Sequence, residues 1–199
     1  AQPASDVVIS ATSGDTGEAS VSPSQLTFTS GNWNSAQTVT VTGVDDSLID
    51  GSQDTTITVS VVDSISNDSF DSLNDQTVTV STADNDTAGF TVVQSGGSTS
   101  VDESGSTDTF TVVLDAQPTS NVVISVSSGD TGEATVSPSL LTFTSGNWNS
   151  AQTVTVTGVD DSLVDGSQTT VATISVVDGS SDNDFDGVDD QTTNIETTD

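Results

Sequence analysis

Lysine, arginine, histidine, cysteine, methionine and tyrosine are all missing from this chain of 199 residues. Each gap excludes something. Nucleic-acid binding needs cationic side chains against phosphate, and there are none; anionic membrane surfaces are disfavoured for the same reason. Thirty acidic groups give a formal charge of −30, so no side-chain ion pair can form. Without His, Cys, Lys or Tyr the usual nucleophile–base pairs cannot be assembled. A glycosidase would need two carboxylates held across a sugar cleft, which Gly- and Ser-rich acidic loops do not provide, so the expectation is a protein that is not an enzyme. With no cysteine an exported protein needs another staple than disulfides, and metal is the obvious one. No apolar run approaches the roughly 18–20 residues that span a bilayer, so membrane insertion is not expected, and no signal peptide is visible at the start. Trypsin has no site to cut.

What is present is a stretch that occurs twice. Thr-Val-Thr-Val-Thr-Gly-Val-Asp-Asp-Ser-Leu stands at 38–48 and again at 153–163. Its first half alternates Thr with Val, the period of a half-buried strand, and its second half becomes an acidic loop. Such high charge with modest hydrophobicity would favour disorder, but regularly spaced Val/Thr/Ile runs can build a sheeted core.

The repetition is general. Trp33 and Trp148 share the context Ser-Gly-Asn-Trp-Asn-Ser and stand 115 residues apart (148 − 33). Residues 1–84 match 116–199 without a gap, and 85–115 occur once. The expected domains are therefore 1–84, the later part of one repeat without its first two strands, and 85–199, a complete repeat. The register is that of an excerpt from a longer tandem array. A unit of this length is too large for a solenoid repeat and suits an independent sandwich domain. In the complete repeat the pattern predicts a first strand split between 89–94 and 100–102, then strands at 107–114, 121–127, 140–144, 151–159, 168–177 and 192–197, with turn-rich clusters between them. No segment has a helical period, and Gly158 is expected to mark a bulge. The fold class is all-β: tandem seven-stranded antiparallel β-sandwich domains.

Simple up-and-down alternation puts the loops after strands one, three and five at one end, with the C-terminus of strand seven. Those segments carry Glu103, then Asp130 and Glu133, then Asp160, Asp161 and Asp165, and finally Asp199. Unpaired carboxylates converging at one pole are the ligands hard cations take, and Ca²⁺ accepts about six to eight oxygens at flexible geometry. The offset of 115 carries the set back to Asp15, Glu18, Asp45, Asp46, Asp50 and Asp84. At the opposite end, Asp182-Asn-Asp184-Phe-Asp186-Gly187 has the alternating acid spacing that can wrap Ca²⁺, although Thr193 stands where a helix–loop–helix site has Glu. Between the two repeats, Asp84-Asn85-Asp86 lies within reach of the loop with Asp45, Asp46 and Asp50, and a cation held there would stiffen the joint.

Gly89-Phe90-Thr-Val, Val101-Asp-Glu103-Ser-Gly105, Thr109-Phe-Thr-Val-Val-Leu-Asp115, Ser128-Gly-Asp130-Thr-Gly-Glu133-Ala, Leu141-Thr-Phe143, 154–161 and the closing Asp84-Asn85-Asp86 together resemble the Calx-β family, in the form found as tandem arrays in very large bacterial surface adhesins. The resemblance implies an immunoglobulin-like sandwich of seven antiparallel strands with Ca²⁺ sites at one end. It implies Glu103, Asp130, Asp160, Asp161, Asp165 and Asp199 as ligands, with Asp15, Asp45, Asp46, Asp50, Asp84 and Asp86 matching them in the first repeat. The loop after strand five departs from the pattern, with Ser162, Gly166 and Ser167 among its acids. The expected function is a Ca²⁺-stabilised structural spacer of a secreted cell-surface adhesin, with neighbouring repeats as partners. Two alternatives stand beside it: an extracellular filament in which identical chains complete one another by strand addition, and a glycan-binding module in which Trp33 or Trp148 stacks on a sugar. The tryptophans otherwise plug the end of a sandwich core.

Overall fold

The computed structural model describes all 199 residues, and they form strands joined by turns and short 3-10 segments. No helix is long and apolar enough to cross a membrane. The chain divides into two compact units: Ala1–Asp46 with Asp50–Asp84, and Ser47–Ile49 with Asn85–Asp199. In order, the strands of the first unit are β1 (Val7–Ser13), β2 (Ala19–Ser22), β3 (Gln25–Phe28), β4 (Thr40–Gly43), β5 (Gln53–Val61) and β6 (Gln76–Thr82). Those of the second are β7 (Phe90–Gln94), β8 (Thr99–Asp102), β9 (Thr107–Leu114), β10 (Val122–Ser128), β11 (Ala134–Ser137), β12 (Leu140–Phe143), β13 (Gln152–Gly158), β14 (Gln168–Val176) and β15 (Gln191–Thr198).

The second unit is a sandwich. One sheet has the order β12-β10-β14-β15-β8, the other β11-β13-β9-β7. Period-2 alternation makes the core: Phe110, Val112 and Leu114 of β9, Val122, Ile124 and Val126 of β10, Val154 and Val156 of β13, and Ala172 and Ile174 of β14 all turn inward and are buried. Their alternate neighbours, mostly Thr and Ser, face outward, as one-sided burial of a pleated strand requires.

Two strands change sheets in mid-course. The split first strand breaks at Ser95–Gly97, where Gly96 (φ 64°) and Gly97 (φ 85°) take left-handed conformations, which cost glycine nothing. Asp108 fastens the break, accepting from the Ser95 hydroxyl at 2.5 Å and from the Ser100 N–H at 2.9 Å. β8 thereby leaves β7 and pairs parallel with β15, so the expected wholly antiparallel sandwich has one parallel pair. The second switch was not legible as a strand. β11 pairs with β13 in one sheet, and past the cis Ser137–Pro138 bond β12 pairs with β10 in the other. The unit has nine strand segments. The pairing directions put the loops after β8, β10 and β13 and the end of β15 at one pole, since β11 and β12 run the same way as a single broken course.

The first unit has the same pieces without counterparts of β7, β8 and β9. Its sheets are β3-β1-β5-β6 and the isolated pair β2-β4. Identical sequence therefore meets two environments. Val156 is fully buried, whereas Val41 is 37% exposed; Phe143 is buried, Phe28 only partly so. The continuous core cluster lies wholly in the second unit. Burying a Phe, Val or Ile side chain stabilises by about 1.5–3 kcal/mol, and the core of the second unit is built from such positions.

Gly158 is not a bulge. It sits in a regular ladder opposite Ala134, and a Cβ there would lie 2.0 Å from the Asp102 carbonyl oxygen of β8. Close backbone approach demands the glycine. At Gly43 the nearest neighbour is the Thr82 methyl at 3.4 Å. Gly158→Ala should therefore destabilise the second unit by about 1–3 kcal/mol through overpacking, while Gly43→Ala should change stability by no more than about 0.5 kcal/mol. Denaturant titration of the two variants checks this.

Candidate metal centre

At the pole of the second unit, the acids come from four separate segments. Glu103 follows β8, its N–H donating to the Thr198 carbonyl at 3.0 Å, so the β8–β15 pairing delivers it beside Asp199. Glu133 ends the loop after β10. Its carbonyl accepts from the Val159 N–H at 2.9 Å and from the Thr197 hydroxyl at 3.4 Å, which ties it to the ends of β13 and β15. The loop after β13 carries Asp160, Asp161 and Asp165. Its path is set by turns in which the Asp160 and Asp161 carboxylates accept from the Ser162 and Leu163 N–H groups, and by positive φ at Ser162 (67°) and Gly166 (78°). Asp199 accepts from the Gly166 N–H at 2.6 Å, closing the loop onto β15.

The result is two groups in which one carboxylate oxygen per residue lies within 4.8 Å of the others: Glu103, Asp165 and Asp199, and Glu133, Asp161 and Asp165. Asp165 belongs to both. The Glu133 Oε2 is buried and has no hydrogen-bond donor, an arrangement that costs free energy unless something cationic or protonated faces it. Burial pushes Glu133 above the usual carboxylate range, and Asp165, Asp161, Asp130 and Asp199 push the same way. Glu103 is raised to about 6, first by burial and then by Asp199 and Asp161. Two glutamates held above their ordinary range among clustered aspartates, with an oxygen lacking a donor, make a donor set that suits a hard cation.

Not every expected residue joins. Asp130 and Asp160 turn an oxygen to the N–H groups of Gly132 and Ser162 within their own loops, and neither falls in a three-carboxylate group. In the first unit Glu18 is raised by burial and then by Asp50, Asp46, Asp15 and Asp84, and Asp84 accepts from the N–H groups of Asp50 and Gly51 at 3.1 and 2.9 Å. Asp45 is exposed in the same loop, and Asp86 lies in the second unit, ahead of β7. No three acids of the first unit bring oxygens together as in the second.

The 182–190 loop is a turn held by hydrogen bonds to Asp182. Asp182 is 4% exposed and accepts from the Thr119 hydroxyl at 2.8 Å, the Ser120 N–H at 2.7 Å and the Asp184 N–H. Burial pushes its carboxyl up, but these hydrogen bonds outweigh burial and hold it below its ordinary value. Asp184 and Asp186 are exposed and make no group with it. In the corresponding loop of the first unit, where the acid spacing is degenerate, Asp71 has a buried Oδ1 without a donor; no sequence pattern pointed to it. Trp148 packs against the core, whereas Trp33 is 40% exposed.

Fold and site together define an all-β sandwich repeat with an acidic pole. Among solved structures, domains 4 and 5 of the S-layer protein SbsC are similar at 20% identity, covering 96% of this chain and 70% of that one, with a TM-score of 0.44. A longer structure of SbsC, domains 4–9, is 19% identical and is covered over 22% of its length, TM-score 0.44. The apo form of the Calx CBD1 domain is 15% identical over 55% of this chain and 98% of its own, TM-score 0.37. No protein-family model matches the chain, and no curated protein does.

Because Glu103 holds its proton more tightly folded (about 6) than at its ordinary 4.5, it contributes stability below pH 4.5 that is lost as pH rises through 6. Glu133 and Glu18 act in the same direction. Asp102, Asp108 and Asp182, held below 3.8, act oppositely, but only in more acidic solution. In chelator at fixed ionic strength, the melting midpoint should fall between pH 4.5 and 6.5, and Glu103→Gln should flatten that fall.

Proposed function

We propose that the chain is a pair of Ca²⁺-stabilised structural repeats, spacers of a secreted cell-surface adhesin that hold a binding region away from the cell. The observation that carries this reading is the buried, donor-less Glu133 Oε2 beside the acids of two carboxylate groups that share Asp165. Glu133, Asp161 and Asp165 would hold one ion, and Glu103, Asp165 and Asp199 a second or a shared one. A bound cation would supply the missing positive charge and tie β8, β10, β13 and β15 together at one end. Tandem repetition without Lys, Arg, His, Cys or Tyr supports a structural rather than an enzymatic part, with neighbouring repeats of the same array as partners. The resemblance to Calx-β repeats of bacterial adhesins points the same way.

An ion that binds only the folded state stabilises it by about 2.7 kcal/mol at a hundredfold excess over its Kd, and Kd should fall at about 10⁻⁴–10⁻³ M, as in extracellular modules. Millimolar Ca²⁺ should therefore raise the melting midpoint of the second unit at constant ionic strength, Na⁺ should substitute only in part, and Asp165→Asn should remove most of the rise. Asp184→Asn, in the turn held by Asp182, should leave the response intact. An unchanged midpoint on adding Ca²⁺, or full replacement by Na⁺, would overturn the reading in favour of plain charge screening.

A further inference from the structure

The second unit is not built from one stretch of chain. It comprises Asn85–Asp199 and, from the loop after β4, Ser47-Leu48-Ile49; the first unit stops at Asp46 and resumes at Asp50. Those three residues interrupt a run of acids, with Asp45 and Asp46 before them and Asp50 after. Leu48 and Ile49 thus put two branched apolar side chains into an acidic loop, and both are partly buried.

What they meet is the segment that joins β9 to β10. The Leu114 N–H donates to the Trp148 carbonyl at 3.1 Å and the Asp115 N–H to the Gly89 carbonyl at 2.9 Å, both partners lying within 85–199. The Gln117 N–H instead donates to the Ser47 carbonyl at 2.7 Å, and Leu48 stands beside Gln117 in a parallel bridge. The receiving segment is itself held firmly. Ala116 and Pro118 are buried, and the Gln117 side chain donates to the Ser145 carbonyl at 3.1 Å. Ile49 then packs against the apolar core, whose other members and rim all fall between Ala88 and Ile195.

We infer that Ala116–Pro118 is a docking site for the tandem neighbour that precedes it in the same chain, taking a Ser-Leu-Ile element from that neighbour's loop after β4 to finish its own core. The size of the contact decides the kind of partner. One bridge and one apolar side chain fall far short of the roughly 1,200–2,000 Å² that separate proteins bury in a specific interface. A tethered segment needs much less, because linkage presents it at an effective concentration of about millimolar. Free copies of the chain are therefore not the occupant. The stability of the second unit then contains a nearest-neighbour contribution, as in tandem arrays generally. The inference rests on main-chain pairing and apolar burial and does not depend on whether the acidic pole binds a cation.

The test follows amide hydrogen exchange of the full chain in chelator at fixed ionic strength. The Gln117 amide should be protected in the unaltered chain. Ile49→Ser should speed exchange at Gln117 and across β9 and β10 by about tenfold, while the paired amides of β1 and β5 keep their rates. Ile49→Val, which keeps a branched apolar side chain, should retain most of the protection. Val164→Ser, the same kind of change at a position that is 98% exposed, should alter neither unit. Three outcomes would overturn the inference. The first is a Gln117 amide that exchanges as an exposed one does in the unaltered chain. The second is an Ile49→Ser variant indistinguishable from Val164→Ser. The third is loss of protection in β1 and β5 instead of β9 and β10, which would make Ser47–Ile49 part of the first unit.

Discussion

A β-sandwich is stable only when both sheets close over the same apolar layer, and the difference in burial between the two halves described here reflects that. In the second unit β9 lies in the four-stranded sheet and turns Phe110, Val112 and Leu114 toward the opposite sheet. With it in place, Val154 and Val156 are buried, Gln152–Val154 becomes strand, and Trp148 covers the end of the core. Without a counterpart, the same sequence leaves Val41 and Trp33 exposed and shortens β4 to four residues. Strand formation here is set less by propensity than by the presence of a neighbour to pair with.

The charge of the chain acts on top of this frame. With no basic side chain, each carboxylate must be satisfied by backbone N–H groups, by hydroxyls, by a proton or by an ion from outside. The molecule uses the first two wherever an acid shapes the backbone. Asp182 caps a turn, Asp108 fastens the sheet switch, and Asp102 accepts from the backbone and hydroxyl of Ser104. At the pole the acids also crowd one another. They are brought together from β8, β10, β13 and β15, and at Glu133 an oxygen is buried without any donor. Asp160, Asp161 and Asp199 of the same pole do accept from backbone N–H groups, so it is the convergence of carboxylates around Glu133, rather than a lack of donors throughout, that sets this end apart.

Much of this was legible in the residues themselves. Alternation of Val and Thr marks strands because a pleated strand presents successive side chains to opposite faces, and the predicted segments lie close to the observed ones. The offset of 115 needed only a comparison of the two halves, letter against letter. The convergence of Glu103, Glu133, Asp161, Asp165 and Asp199 could be anticipated because direction alternates along a meander, and an even number of courses returns the chain to the same pole. Ala134–Ser137 is not legible as a strand because four residues between an acidic loop and a Ser-Pro pair carry too little periodicity.

The amino-acid sequence alone determined the all-β class, the repetition and the absence of internal counter-charge, since these depend on residue type and spacing. Tertiary structure decided what depends on which segment lies beside which. It moved β8 and β12 into the other sheet, made β8 parallel to β15, and required glycine at 158 because a carbonyl of β8 passes 2.0 Å from where a Cβ would stand. It also separated Asp182, with donors for both oxygens, from Glu133, with none for one of them. The two are alike as carboxylates in acidic loops; the difference lies in the groups packed around them, which come from residues distant in the chain.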